Sequence, residues 1–483
     1  MRTSAPSWWL PLILGTLSGL GLLSTVGAPL LVVTLSVLLA RIQSLSPSRA
    51  ARWTAPFALG FFGLHLQWLF PSLNSILGAP AGLLVVPVVV LLAAGLTLIV
   101  WLTRLLAGRW TLLALPAAWI VFDWLRTLGP LAFPWGSVGY AASQPDGGGP
   151  AGERRWRPPA RRPGAGERRS GGPPPHVEHR SGRSALDLRP AGGERDDLPP
   201  APPTRTALLV QGAVDPVAKF RGTVDATGIY RTLTRSGVLE PAPDVVVWPE
   251  TAVPFTPDRP ESLGQLSRPG VPLITGAPGQ QSGASYNSAF ALSKAGIFRY
   301  DKIRTVPFGE SFPARTALDW LYRPVFAALG VPGLQNMTSG RRSAVLLAGE
   351  LKYAVSICYE SVFPGLARRA VRDGGQVLVT LSNDAWFGRS AGVEQHFLMG
   401  RVRAIETRRS WLRAGNDGIT AVTDPYGRVQ GRLERSARTT LLAGFTPLSG
   451  LTPYVRFGDW VVLLAAALMV SCIQGDRMKR VRP

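Results

Sequence analysis

From Trp8 to about Leu128 the chain is almost continuously apolar, broken only by short polar or Gly/Pro interruptions. So long an apolar stretch is matched to lipid, where every backbone N–H and C=O must be satisfied within the segment, and helices do this. Five spans are expected, at 8–23, 28–40, 53–70, 83–106 and 110–128, against the roughly 20 residues that cross a bilayer. The first two are short, which leaves a re-entrant pair as an alternative.

Positive residues set the orientation. Arg2, the Arg41/Arg49/Arg52 loop and the Arg104/Arg109 loop fall on one side, whereas the opposite loops are uncharged, so the N-terminus is expected in the cytoplasm. The first apolar run leads straight into further spans, which argues against a cleaved leader. A last span at 459–473 is followed by Arg477, Lys479, Arg480 and Arg482, expected inside. Everything between residue 140 and that span then lies outside, provided that zero or two further crossings intervene.

Residues 145–204 are dominated by Pro, Gly and Arg, with no apolar periodicity, and can neither pack a core nor cross a membrane. A flexible disordered linker is one reading. A reading-frame slip that has overwritten two helices is the other, and it better accounts for so much Arg and Pro directly after a span. His176 and His179, which fall here, are read as incidental rather than metal-binding.

From about residue 205 to 450 the texture becomes α/β, with short runs such as "ALLVQG", "DVVVWPE", "PLITGAP", "NSAFALS" and "QVLVTLS" alternating with helical or irregular stretches. The chain therefore divides into membrane helices (1–144), a disordered segment (145–204), an α/β domain (205–450) and a C-terminal span with a basic tail (451–483). The 46% hydrophobic content of the 483 residues agrees with a membrane protein carrying a soluble part. The net charge of +22 includes several Lys and Arg beside apolar spans and forms no compact stripe with interleaved aromatics, which argues against nucleic-acid binding.

Two cysteines are present. Cys472 lies in the last apolar run, so a disulfide to Cys358 is not expected. Cys358 ends the alternating strand "KYAVSI" and is followed by Tyr359 and Glu360. Glu250 ends "DVVVWPE", and "YDKIRTVPFGE" carries Lys302 and Glu310. Strand ends of α/β sheets are where ligand sites gather. Each residue alone is ordinary; their conjunction has chemistry in it. A carboxylate can take up a thiol proton and return it to a leaving group, and an ammonium can stabilise the thiolate or a tetrahedral oxyanion. Acyl transfer then needs neither histidine nor metal nor any other cofactor.

"VVVWPET", "YDKIRTVPFGE" and "SICYES" resemble the Glu, Lys and Cys motifs of the nitrilase, or carbon-nitrogen hydrolase, superfamily. The membrane setting, "FPWGSVGY", "VPFGE", "NDAWFG" and "RVRAIETRRSWLRAGNDGITAVTDPYGRV" resemble the apolipoprotein N-acyltransferase family within it, over most of the chain except 145–203. The resemblance implies an αββα sandwich outside the bacterial cytoplasmic membrane, joined to a multi-span helical bundle. It implies Glu250 as general base, Cys358 as nucleophile and Lys302 as the stabiliser of charge. Glu310, Tyr359 and Glu360 would support the site, while Phe220 falls where relatives carry an aromatic, often Trp, and Trp386 sits in a loop that would shape the site. Phospholipid would donate the acyl chain and the diacylglyceryl-cysteine of an apolipoprotein would accept it. Family members usually carry eight spans, and the missing pair falls within 145–203.

Among the remaining polar residues, His396 is expected to be a hydrogen-bonded helix residue and His65 a lone histidine on a membrane helix. Asn383, Asp384 and Trp386 read as a loop that shapes the site or, equally, as a structural turn, and Asn416-Asp417-Gly418 chiefly as a turn. Two other functions stay open on the sequence: a membrane-anchored amidase in which water resolves the thioester, and an inactive relic disrupted at 145–204.

Overall fold

The computed structural model describes residues 8–23, 27–78, 81–143, 202–237, 241–258, 266, 270–328 and 337–481. The Pro/Gly/Arg-rich stretch, with the linker and frame-slip readings and both of its histidines, lies outside the described residues.

The N-terminal part is a helical bundle: α1 (Trp9–Gly21), α2 (Gly27–Gln43), α3 (Pro47–His65), α4 (Leu69–Leu77), α5 (Val85–Ala107) and α6 (Thr111–Leu125). Two stretches among the described residues are helical, long and apolar enough to cross a membrane: Ala81–Leu125, which contains α5 and α6, and Trp460–Met478. The helices Trp9–Gly21 and Gly27–Gln43 are apolar but shorter. Val32, Val33, Leu91, Leu98, Leu463 and Leu464 face outward from three of these helices, an exposed apolar belt of the kind that lipid covers.

Small residues let the helices approach. A Cβ at Gly15 would press on the Phe57 carbonyl of α3, and one at Gly60 on the Leu12 carbonyl of α1, the close backbone crossing that small residues permit in membranes. Gly15→Leu is expected to destabilise the bundle by about 1–3 kcal/mol through overpacking, read as a lower unfolding midpoint of the detergent-solubilised protein.

Two of the expected spans change shape. The stretch 53–70 is not one helix: α3 ends at His65 and α4 begins at Leu69. At the break the Trp68 ring packs against Trp135 and Phe387, at centroid distances of 5.2 and 5.0 Å. The apolar run conceals this interruption, because tertiary packing of one aromatic outweighs local helix preference. At the other end, the helix that begins at Trp460 runs to Val481 rather than stopping near 473. Lys and Arg are good helix formers and carry the helix into the basic tail.

The C-terminal part is a sandwich of two six-stranded sheets. The first comprises β1 (Arg205–Gln211), β2 (Val245–Val247), β3 (Leu273–Gln281), β4 (Ala284–Ser293), β5 (Gly296–Asp301) and β12 (Thr439–Phe445), in the order β12-β1-β2-β3-β4-β5. The second comprises β6 (Val345–Ala348), β7 (Leu351–Ile357), β8 (Val377–Ser382), β9 (Trp411–Gly415), β10 (Ala421–Thr423) and β11 (Val429–Arg432), in the order β11-β10-β9-β8-β7-β6. The central triplets β1-β2-β3 and β7-β8-β9 are parallel.

Strand alternation divides the side chains between two cores. Leu209, Val245, Val247 and Ile274 meet Tyr353, Val355, Ile357 and Val379 between the sheets. Leu208, Val210, Val246 and Trp248 point the other way, onto Tyr230 of α7 (Ala226–Gly237). The second sheet is flanked by α8 (Pro364–Arg372) and α9 (Gly392–Thr407), with Phe397 of α9 stacked on Trp411. The last helix is α10 (Trp460–Val481), packed on α6. Helix, sheet, sheet, helix is the expected αββα order.

Bundle and sandwich share an apolar cluster. Tyr359, Val362, Phe363 and Met399 of the sandwich join Phe57, Phe61, Phe62, Trp68 and Trp135.

Candidate active site

The parallel strands β2, β7 and β8 run out at the same edge, and each delivers a polar residue just beyond its last rung. After β2 the buried Trp248 donates from Nε1 to Thr234 Oγ1 at 2.8 Å, which fixes the chain before Pro249 and Glu250. Gly276 matters here: a Cβ there would lie 2.5 Å from the Thr251 nitrogen and 2.6 Å from the Glu250 Cα. Without a side chain at 276, the Glu250 loop settles onto β3.

The Glu250 carboxylate is buried and spoken for at both oxygens. Its Oε1 accepts from Asn287 Nδ2 at 2.8 Å and from Lys302 Nζ at 3.4 Å, and its Oε2 accepts from the backbone N–H of Asn383 at 3.0 Å. Lys302 follows β5 and is 1% exposed. Its ammonium also donates to Glu310 Oε1 at 2.8 Å. Asn287 Nδ2 donates to that same Glu310 oxygen at 2.8 Å, while Glu310 Oε2 accepts from the Val306 N–H at 2.8 Å. One amide and one ammonium thus bridge two carboxylates.

Burial opposes the charge on Lys302, but Glu310 and then Glu250 outweigh it and hold the ammonium above the usual lysine range. Burial likewise opposes the charge on Glu310, and Lys302 outweighs it, so this carboxyl is held below its ordinary value. The charged forms of both are the stable ones.

Cys358 sits at φ +49°, in the left-handed region, which costs a residue with a Cβ about 1–2 kcal/mol. Three bonds hold it there. The Ile357 N–H donates to Glu360 Oε2 at 2.9 Å, Ser361 Oγ donates to the Cys358 carbonyl at 2.9 Å, and His396 Nε2 lies 3.0 Å from the same carbonyl. Burial pushes the thiol well above its ordinary pKa, and the nearby Glu250 adds to this while Lys302 opposes it. The resting group is a neutral thiol within electrostatic reach of both, and becoming a nucleophile requires a base.

Glu360 joins the two loops. Its Oε1 accepts from Tyr300 OH at 2.7 Å, the Ile303 N–H at 2.7 Å and the Arg304 N–H at 3.0 Å, so one side chain grips the Lys302 loop and, through Ile357, the Cys358 turn. Tyr359 turns the other way: its OH donates to the Ala132 carbonyl at 2.6 Å and its ring stacks on Trp135 at 6.0 Å. The "FPWG" segment is therefore the floor beneath the cysteine turn.

Trp386 stands outside this network. Trp386 is 41% exposed, and its backbone carbonyl accepts from Ser75 Oγ of α4 at 3.3 Å. Phe220 closes a single helical turn, Pro216–Phe220, and its side chain lies outside the described parts.

Four residues do more than their sequence context indicates. Asn287 is the amide bridge between the carboxylates; a single amide within a strand that also carries serines was its only signal. Asn383 donates its N–H to Glu250, beyond a simple turn. His396, besides being hydrogen-bonded within a helix, contacts the cysteine carbonyl, while its Nδ1 lies 3.0 Å from Asp384 Oδ1. Burial opposes the charge on Asp384, and Arg413, 2.6 Å away, outweighs it and keeps this carboxyl ionised well below the usual range. Asn416 is no mere turn residue: it is fully buried, donates to Asn383 Oδ1 at 3.1 Å and to the Val214 carbonyl at 2.7 Å, and accepts from Tyr230 OH at 2.8 Å. His65 ends α3, and its carbonyl accepts from Gln395 Nε2 at 3.0 Å.

A sandwich with this edge, mounted on apolar helices, defines the class: residues 236–449 match the model of the carbon-nitrogen hydrolase family and residues 14–146 that of the apolipoprotein N-acyltransferase N-terminal domain. The apolipoprotein N-acyltransferase of Methylococcus capsulatus is 33% identical over 89% of this chain and 89% of its own. That of Chromobacterium violaceum is 33% identical over 93% of this chain and 90% of its own. Among solved structures, an amidase of the nitrilase superfamily from Nesterenkonia is 16% identical, covering 55% of this chain and 98% of its own, with a TM-score of 0.38. The chain belongs to the apolipoprotein N-acyltransferase family, and is an enzyme of the carbon-nitrogen hydrolase superfamily.

Proposed function

We propose that the chain acylates the N-terminal amine of diacylglyceryl-cysteine on apolipoproteins, drawing the acyl group from a membrane phospholipid through a thioester on Cys358. Glu250 takes the thiol proton as Sγ attacks an ester carbonyl, and the oxyanion that forms is stabilised by the Lys302 ammonium. Collapse breaks the ester C–O bond, Glu250 returns the proton to the lysophospholipid, and the acyl chain remains on sulfur. The α-amine then attacks the thioester, Glu250 accepts its proton, and the thiol is regenerated. Glu310 and Asn287 keep the ammonium and the base in register, while Glu360 and Tyr359 hold the turn that carries the nucleophile.

The observation that carries this reading is the Glu250–Lys302–Glu310 cluster beside a cysteine held in a left-handed turn. It contains a base, a fixed cation and a neutral thiol, the complement an acyl-transfer centre needs.

The bundle supports the orientation. At one end the Arg104 guanidinium donates to the carbonyls of Leu45 and Gly108, and Gln43 donates to that of Arg109, which gathers the basic loops together. The sandwich meets the opposite end, at His65, Ser75 and Ala132. With the basic end in the cytoplasm, the cysteine faces the outer side of a bacterial inner membrane.

The test is to incubate membranes containing the protein with phospholipid labelled in its acyl chains. A hydroxylamine-labile acyl-protein should accumulate and discharge when a diacylglyceryl-cysteinyl peptide with a free amine is added, but not when that amine is blocked. Label passing to free fatty acid in the presence of the acceptor would instead mean that water resolves the thioester, as in an amidase.

A further inference from the structure

A cleft of about 510 Å³ lies between the bundle and the Lys302 loop, lined on one side by Gly129, Pro130 and Ala132 and on the other by residues that include Arg304, Phe312 and Thr338. Its position is set by the clamp already described, because Arg304 follows Lys302 by two residues and its N–H is one of the donors held by Glu360.

The Arg304 side chain is posed at this boundary. Its Nη1 donates to the Gly129 carbonyl at 2.9 Å, and its guanidinium lies 5.5 Å over the Phe363 ring. No carboxylate pairs with it among the described residues. A cation fixed in a half-open cleft with donors to spare is suited to an anion, and the planar fork of Arg matches a phosphate oxygen pair. The other walls fit the rest of such a ligand: Pro130, Ala132 and Phe312 are apolar, and the hydroxyls of Thr305 and Ser311, 2.7 Å apart, offer polar partners.

We propose that this cleft binds the phosphodiester of the acyl donor, with Arg304 as its cation. The proposal rests on the acyl-transfer reading and makes it specific. In a phospholipid the phosphate and the reacting ester hang from one glycerol, so a phosphate on Arg304 would bring an ester carbonyl toward Lys302 and Cys358. A lipid with the same acyl chains but no phosphate would lose that anchor.

The experiment compares phosphatidylethanolamine with diacylglycerol of identical chains, in mixed micelles, as donors for thioester formation on the intact protein. The wild type should prefer the phospholipid by about 10-fold in efficiency, the value of one charge-assisted hydrogen bond to phosphate. Arg304→Gln should shrink that preference toward unity through a higher KM for the phospholipid, and Arg304→Lys should restore part of it. Inorganic phosphate inhibiting the wild type but not Arg304→Gln, with no preference between the donors, would assign the cleft to a free anion and overturn the proposal. So would an undiminished preference in Arg304→Gln. If the wild type forms a thioester but the donors are equal, only this inference fails; if it forms none from either donor, the acyl-transfer reading fails with it.

Discussion

Cys358→Ala is expected to abolish the acyl-protein adduct and to lower lipoprotein acylation by about 10⁴–10⁶-fold, the loss that follows removal of a nucleophile from a concerted group. The change removes one sulfur from a residue that is 9% exposed, and alanine at φ +49° meets the same backbone cost as cysteine. The bonds that hold the turn are made by the Cys358 carbonyl, by Ile357 and by Glu360, none of which is altered. Folding and insertion should therefore persist. The measurement is hydroxylamine-labile label in membranes, with thermal unfolding as the control. A variant that retained the adduct would place the acyl group on another residue.

Glu360→Gln is expected to be nearly as damaging for a different reason. The carboxylate accepts four bonds, three at one oxygen and one at the other. An amide keeps one acceptor and converts the other position into a donor. Whichever way it turns, an N–H of the side chain meets a backbone N–H of Ile357 or those of Ile303 and Arg304. A buried donor left unsatisfied costs about 1–3 kcal/mol, and more than one is affected. A loss of about 2–5 kcal/mol is expected, and the Lys302 loop should separate from the Cys358 turn. The two effects are measured separately. Unfolding in detergent reports the first, and the rate of acyl-adduct formation, falling by at least about 100-fold well below the unfolding temperature, reports the second. Normal adduct formation in a destabilised variant would reduce Glu360 to a folding role.

Much of the fold was legible because its signals are local. Alternation in "KYAVSI" marked a strand, "DVVVWPE" marked another, and Cys358 and Glu250 follow their strands within a few positions. What escaped depends on tertiary partners. Nothing in the apolar stretch 53–70 announces that Trp68 leaves the helix axis to meet Trp135 and Phe387. Asn287 reads as a strand residue until β4 is placed beside β5, where its amide falls between Glu250 and Glu310. His396 is 38 residues from Cys358, so the contact between them is invisible in any local window. Asn416 follows the same rule, since its partners are Val214, in the loop after β1 of the other sheet, and Tyr230, on the helix α7 that covers that sheet.

The aromatic floor beneath the cysteine turn has a practical corollary. Trp135 packs on Tyr359 and Trp68 on Trp135, so the immediate neighbour of Cys358 rests on residues encoded more than 200 positions earlier. Cutting the sandwich away from its helices would strip that support and lay an apolar wound open to solvent. A water-soluble catalytic fragment is thus a poor goal for purification, and any graft of this sandwich onto a foreign anchor would have to bring the tryptophans along.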